Sequence, residues 1–318
     1  MPAILYLSAE MVTEARVAPD ELREALAAAY AAKARGAVHT VPKVAVTIGR
    51  GHSFQAMPVA DAALAALKWV AVIPPREGAV PISALVLLAD VVTGEPVAIM
   101  DGAWITAART AAMSALAASH LAWRDASAIG FIGCGVQARS HLAALRCVLP
   151  KLERVIAYSR TEASAARFAA EASDAGLEAE ATANPRDAVA GLEVVVTSVP
   201  DAPGFAPFLD PAWLAPGAFV AAVDLGRSWQ PGAIRALDLV ATDDHRQSET
   251  LGAAGKLAFA GPFDADLAEL ASGAKSGRTG ERQRAMFLFA GDALADLAAA
   301  RLVYEAARRR GLGMKLPR

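Results

Sequence analysis

The sequence predicts an α/β protein, with a Rossmann-type doubly wound parallel sheet preceded by an α+β segment. Three observations carry this. After Asp125, apolar runs of strand length alternate with helix-forming stretches, the rhythm of βαβ units and a parallel sheet. Before Asp125, apolar runs follow one another with only turn signals between them, as antiparallel strands do. The 318 residues are long for one domain and comfortable for two.

In order, PDELREALAAAYAAKARG is a helix, with Pro19 and Asp20 as start signals and Gly36 as the stop around a periodic apolar face. VPKVAVTI and SFQAMPV read as two strands joined by the Gly-flanked turn GRGH. AALKWVAVIP is another strand, its apolar run interrupted by Lys68. PISALVLLADVVTGEPVAIM is a strand, a Thr-Gly-Glu-Pro turn and a second strand. AWITAARTAAMSALAASHLAW is a long helix rich in alanine, the strongest helix former, with Arg109 inside it. A strand over 128–132 leads to a helix near 136–148. The strand RVIAYS, the helix TEASAARFAAEASDAG, a short strand near 179–182 and a short helix over 185–190 follow. EVVVTSV, GAFVAAVDL and LDLVATDD are three further strands. The last stretch, ERQRAMFLFAGDALADLAAARLVYEAARRRGLG, is expected to be amphipathic helix up to Gly311 or Gly313. Arg308, Arg309 and Arg310 would form a solvated end that the helix dipole favours.

Composition narrows the function. With 55% hydrophobic and 20% charged residues, a sizeable core is available and disorder is not expected. The near balance of 31 basic and 33 acidic residues argues against nucleic-acid and membrane-surface partners. No window approaches the roughly 20 apolar residues of a membrane span, and the first residues lack the pattern of a signal peptide. Cys134 and Cys147 form no disulfide framework, which fits a reducing, cytoplasmic compartment. The five histidines are scattered without ligand spacing, so no metal is expected.

The strand Ala128–Ile132 breaks into Gly133-x-Gly135-x-x-Ala138 and returns at once to helix. In a βαβ context this is a dinucleotide-binding fingerprint. Gly133 makes the tight turn, Gly135 lets a pyrophosphate approach the backbone, and Ala138 lets helix and strand pack closely. The helix start at Val136 and Gln137 then offers N–H groups to phosphate. NAD sites usually carry an acidic residue at the end of the next strand; here Ser159, Arg160 and Thr161 stand there. A guanidinium and hydroxyls suit a 2′-phosphate that a carboxylate would repel, so NADP(H) is expected over NAD(H). Thr197, Ser198 and Val199 follow the strand EVVV, at the carboxyl edge where ligands of such sheets sit.

Nearly end to end, the sequence resembles the ornithine cyclodeaminase/mu-crystallin family. The resemblance rests on GFIGCGVQA, LKWVAVIP, LLADVVTGEPVAIMDGAWITAARTAAMSALAA, ATDDHRQ and GRTGERQRAMFLFAGDALADLAAARLVYEAA, with ITAARTAA the most specific. It implies a homodimer acting on small L-amino acids or their imines. It also implies that residues 1–124 and 292–318 form a substrate-binding and dimerisation domain beside a dinucleotide domain over 125–291. It assigns Arg109 to the substrate carboxylate, where a planar fork pairs two oxygens. Lys68 matches a lysine near the reacting carbon, and an ammonium in an apolar strand is costly unless it binds something. Lys43 would be a second carboxylate contact, and Met57 matches a pocket-lining methionine that could equally fill the core. Family cyclodeaminases carry an aspartate near Gly-Ala-Asp-x-Pro-Gly-Lys-x-Glu. Here the chain reads AVDLGRSWQ, with Asp224 one position off when counted from Gly226 and Trp229 beyond it. A one-residue shift at a strand end reverses the side-chain face, so Asp224 is either a catalytic acid/base or turned away.

Cyclodeamination needs a carboxylate to manage protons, whereas imine reduction needs hydride and a proton donor. The shifted Asp224 and the Ser-Arg-Thr signal favour NADPH-dependent reduction of a small cyclic α-imino acid. The alternatives are ornithine cyclodeamination, small L-amino-acid dehydrogenation, or a non-catalytic, crystallin-like nucleotide-binding protein.

Overall fold

The computed structural model describes residues 3–48, 52–74, 82–202 and 204–317. The chain forms two compact units, Met1–Arg109 with Gly291–Arg318, and Thr110–Ala290. The division falls inside the alanine-rich helix rather than after it, so Arg109 belongs to the first unit.

Numbered along the chain, the first unit holds β1 (Ala3–Leu7), α1 (Ala9–Glu14), α2 (Pro19–Ala34), β2 (His39–Thr40), β3 (Val44–Ile48), β4 (His52–Ala60), β5 (Leu64–Val72), β6 (Ile82–Asp90) and β7 (Pro96–Asp101). Helix α3 (Ala103–Leu121) crosses the boundary. The second unit holds β8 (Ala128–Ile132), α4 (Val136–Val148), β9 (Arg154–Tyr158), α5 (Glu162–Asp174), β10 (Glu178–Thr182), β11 (Val194–Thr197) and β12 (Phe219–Ala222). It continues with α6 (Pro231–Ile234), β13 (Leu239–Thr242), α7 (His245–Ala253), β14 (Ala265–Asp266), α8 (Leu267–Ser272) and β15 (Ala285–Leu288). The chain then returns to the first unit as α9 (Ala293–Arg310) and β16 (Met314–Pro317).

The first unit is one twisted sheet in the order β16-β1-β7-β6-β5-β4-β2, with β3 also on β4. Within it β1 and β7 pair in parallel and the other pairs are antiparallel. Period-two alternation sorts β5: Ala66, Lys68 and Val70 are buried, whereas Leu67 and Trp69 are exposed. Helix α9 lies across β4, β5 and β6. Much of it is alanine, and Leu294, Leu297 and Val303 are buried along its length. Asp292 caps its start, and Gly311, in the left-handed conformation, ends it.

The second unit is an all-parallel sheet in the order β10-β9-β8-β11-β12-β15-β13-β14. Counted from β8, its first five strands run 3-2-1-4-5, the doubly wound order with its switch point between β8 and β11. Residues Val194–Thr197 are all buried, as a strand covered on both faces requires. Glu193 anchors the start of β8, accepting from the backbone N–H of Ser127 at 2.8 Å and of Ala128 at 2.9 Å.

Two sequence expectations need correction. Residues 185–189 are a run of turns, not a helix. The tail is not helical throughout: Ala285–Leu288 is a strand paired on both sides, to β12 and β13. A short apolar run carries no period that separates buried strand from helix. Strand β1, the edge strand β16, the two-residue strands β2 and β14 and the helices α1, α6, α7 and α8 were not anticipated. Residues 49–51 of the GRGH turn and Pro81 lie outside the described residues.

Candidate active site

Each unit carries its own group of functional side chains. In the second, the strand–turn–helix passage at Gly133 sits at the switch point. Gly133 has φ +95, and a Cβ there would come within 2.9 Å of the Ser198 carbonyl oxygen, so only glycine fits. Its N–H donates to the Tyr158 carbonyl at 2.8 Å, and its carbonyl accepts from Ser198 Oγ at 3.1 Å. Gly135 is different. A Cβ there would meet nothing within 4 Å, which leaves open space over bare backbone at the start of α4. That is the cradle a pyrophosphate needs. Val136 is exposed, Gln137 Oε1 is buried without a hydrogen-bond partner among the described residues, and Ala138 is wholly buried against the sheet. Cys134 is no reactive thiol: its Sγ donates to the Tyr158 carbonyl at 3.4 Å, and burial pushes its pKa up to about 12.

A cavity of about 350 Å³ opens beside this turn. Gly133, Tyr158, Ser159, Arg160, Thr161 and Ser164 line one part, and Val199, Pro200, Phe205 and Phe208 another. No carboxylate is among its lining residues. Thr161 Oγ1 donates to Ser164 Oγ at 2.7 Å, which places two hydroxyls together at the start of α5. Thr197 is turned away from solvent, its Oγ1 donating to Asp224 at 2.9 Å.

Asp224 lies just past β12 and is buried. Its carboxylate also accepts from Ser228 Oγ at 2.5 Å, and burial raises its pKa. Both of its oxygens are thus occupied by hydroxyls of its own unit. The backbone turns sharply here: Leu225 has φ 62, a left-handed conformation unusual for leucine. Trp229 is wholly buried in the core.

The first unit gathers the other candidates. Lys68 and Met57 are direct cross-strand partners on β5 and β4, so both face α9. Lys68 is 1% exposed, and its Nζ lies 2.8 Å from Asp296 Oδ1 on α9. Arg109 Nε is 3.1 Å from the same oxygen. Burial, the Arg109 guanidinium and the Lys43 ammonium lower the Lys68 pKa, and Asp296 partly opposes them; the result is about 8. Lys68 and Arg109 thus meet at one aspartate, with the Lys43 charge near enough to act on Lys68. Gly291 backs this cluster. It has φ +91, and a Cβ there would lie 2.6 Å from Arg109 Nη1. Such a group can neutralise a carboxylate and exchange a proton near neutral pH.

Asp296, Gly291 and Arg139 were not singled out from sequence. Arg139 Nη1 donates to the carbonyls of Cys134 at 3.1 Å and Gly135 at 3.0 Å, while its Nη2 reaches Glu171 Oε1 at 2.7 Å. It ties the glycine turn to α5. The signal for Asp296 lay in GDALADLAAARL: Asp292 and Asp296 are four apart, hence on one helix face, and their neighbours are apolar.

Among the described residues, no group of His, Cys, Asp or Glu could hold a metal ion. The fold and these side chains define a Rossmann-type dinucleotide-binding protein with a separate, cation-bearing α+β unit. Over residues 4–311 the chain matches the ornithine cyclodeaminase/mu-crystallin family, and it belongs to that family. It is 31% identical to the alanine dehydrogenase of Archaeoglobus fulgidus over 98% of each chain. Two solved structures are similar. One is an archaeal alanine dehydrogenase dimer with bound NAD, with a TM-score of 0.86, 28% identity and 99% of each chain covered. The other is the Thermococcus litoralis Delta(1)-pyrroline-2-carboxylate reductase in complex with NADH and L-proline, with a TM-score of 0.88 and 26% identity over 98% of this chain and 99% of that one. These relatives are oxidoreductases, in line with the enzyme class expected from the sequence.

Proposed function

We propose that this protein is a cytoplasmic, homodimeric, NADPH-preferring reductase of a small cyclic α-imino acid of the pyrroline- or piperideine-2-carboxylate type. The observation that carries the reading is the buried cluster in which Lys68, whose pKa is lowered to about 8, lies beside Arg109. Arg109 binds the substrate carboxylate through its planar fork, and Lys43 adds charge. Met57, on the same face as Lys68, packs against the apolar ring. The glycine turn at Gly133 and Gly135 would hold NADPH, and that cofactor would supply the hydride that the C=N carbon needs. Lys68 gives the proton that the nitrogen acquires and regains one from solvent. A donor whose pKa lies near the working pH is suited to this step. The L-proline in the Thermococcus litoralis complex is the reduced form of such an imine.

The preference for NADPH rests on Ser159, Arg160, Thr161 and Ser164 beside the cavity, where no carboxylate lines the wall. Homodimer formation is supported by the archaeal dimer and by the apolar outer face of the first sheet. Asp224, with both oxygens accepting from hydroxyls, speaks against the cyclodeaminase alternative.

Purified protein is mixed with NADPH and pyrroline- or piperideine-2-carboxylate, and cofactor absorbance is followed. Separately, ornithine with catalytic NAD is assayed for proline and ammonia. Oxidation of NADPH in the first assay is expected. Proline in the second with silence in the first would replace reduction by cyclodeamination. Tight NADPH binding with silence in both would leave a non-catalytic binding protein. Arg160→Asp should weaken NADPH binding by about tenfold or more while sparing NADH, as loss of a charge-assisted contact implies. An unchanged ratio would remove the preference.

A further inference from the structure

We propose that Asp296 is a positioning residue, its carboxylate holding the Lys68 ammonium and the Arg109 guanidinium in one orientation as their shared counter-charge. One oxygen, Oδ1, meets both cations, at 2.8 Å from Lys68 Nζ and 3.1 Å from Arg109 Nε. The other, Oδ2, is buried without a hydrogen-bond partner among the described residues, so the carboxylate is held by cations rather than by neutral donors. Lys68 and Asp296 are each 1% exposed, so solvent cannot screen them.

A purely architectural role explains this poorly. The buried residues around Asp296 in α9, from Ala293 to Ala300, are otherwise Ala and Leu. There an apolar side chain would pack without desolvating a charge, and buried ion pairs seldom stabilise more than apolar replacements do. What an apolar residue could not do is hold two like charges side by side. Among the described residues, the groups that face Lys68 can be named. Its cross-strand partners on β4 and β6 are Met57 and Val86, which do not titrate. Arg109 comes from α3, Lys43 from the segment before β3, and Asp296 from α9. Asp292, one helical turn before Asp296, is engaged by Lys33 of α2 at 2.7 Å. Asp296 is therefore the anion that offsets Arg109 and Lys43 at Lys68, and without it Lys68 would lose its proton at lower pH.

This inference rests on the proposed roles of Lys68 and Arg109, but its first readout needs no turnover. The chain has only seven lysines, so Lys68 can be assigned in ¹³C,¹⁵N-lysine-labelled protein by comparison with Lys68→Met. In the wild type, Lys68 should titrate near 8 and show a slowly exchanging ¹⁵Nζ signal. Asp296→Asn, which keeps an acceptor oxygen but removes the charge, should lower that midpoint by about one unit or more. Asp296→Glu should restore part of the shift. In turnover, Asp296→Asn should cut kcat/KM at least about tenfold, raise KM and move the alkaline limb of the pH profile to lower pH. A folded Asp296→Asn protein with an unmoved Lys68 midpoint would overturn the proposal. Should Asp296→Asn fail to fold, the wild-type spectrum decides: a Lys68 signal that exchanges fast, or that titrates in the ordinary lysine range near 10, would overturn it equally. If the imine substrates are not turned over but the midpoint moves, the positioning role stands and the reductase reading falls.

Discussion

A lysine at position 68 costs desolvation that no other residue of β5 incurs, and its chemistry follows from that cost. Burial is the largest cause of its lowered pKa. In the reductive direction the ammonium is the active form, so kcat/KM should fall as pH rises through about 8, tenfold per unit beyond it. A profile flat to pH 10 would exclude Lys68 as the donor, and Lys68→Met should lose about 10² to 10⁴ of the rate at pH 7. Gly291 makes the companion case. With φ +91 and a would-be Cβ 2.6 Å from Arg109 Nη1, Gly291→Ala must strain the backbone and push the guanidinium aside. The expected result is a KM raised about tenfold or more with a stability loss of about 1–3 kcal/mol. Steady-state kinetics and a melting curve separate the two effects. At this scale the sequence was informative wherever a charge broke an apolar context, as at Lys68 and Arg109. At Asp296 the four-residue spacing from Asp292 was all but silent, because an aspartate in an alanine-rich helix looks like a solvated face until the helix has a partner. It was silent too at Gly291, whose need for glycine arises from a side chain about 180 residues away along the chain.

Elements obeyed local rules except where a neighbour decided the outcome. The parallel sheet was legible because strand and helix alternate with caps and glycine turns, and the switch point follows from the strand order. Ala285–Leu288 was not legible as a strand: the four residues are apolar on both faces and become a strand only through pairing with β12 and β13. Helix packing has a measurable consequence of its own. His141 of α4 is wholly buried; its Nδ1 donates to the Gln137 carbonyl at 2.8 Å, and its Nε2 accepts from Ser114 Oγ of α3 at 2.9 Å. Burial lowers its pKa from 6.5 to about 4. The folded form therefore stays neutral while the unfolded chain takes up a proton, and stability falls as pH drops from about 6.5 to about 4. The loss from this group reaches about 3 kcal/mol. Asp224 acts in the opposite sense, because its raised pKa lets the folded state bind a proton before the unfolded one does. Denaturant titrations from pH 7 to pH 4 should show a smaller acid loss in His141→Gln than in the wild type. Equal slopes in the two proteins would show that His141 carries no such linkage.

At the scale of the whole molecule, the described residues include a surface that a monomer would not be expected to leave bare. On the outer face of the first sheet, Val46 of β3 pairs with Phe54 of β4. Phe54 stacks on Trp69 of β5 with ring centroids 6.2 Å apart, and Trp69 pairs with Leu85 of β6. Val46 is 58% exposed, Trp69 45% and Leu85 48%, with Val44 and Ile48 exposed on the same face of β3. A continuous apolar stripe across four strands is larger than monomers normally tolerate, and self-association through it would bury aromatic anchors at the centre of an interface. Such alternation was readable in LKWVAV and SALVLL, but which face would be covered by α9 and which left open was not, because both faces are apolar. Trp69→Glu and Leu85→Glu place a charge on the open face, away from Lys68. Each should shift the mass measured by sedimentation at micromolar concentration from twice to once the 32.8 kDa chain, with the melting temperature of each unit little changed at high dilution. A wild-type protein that sediments at the mass of one chain, or a dimer unmoved by both substitutions, would place the subunit contact elsewhere or remove it.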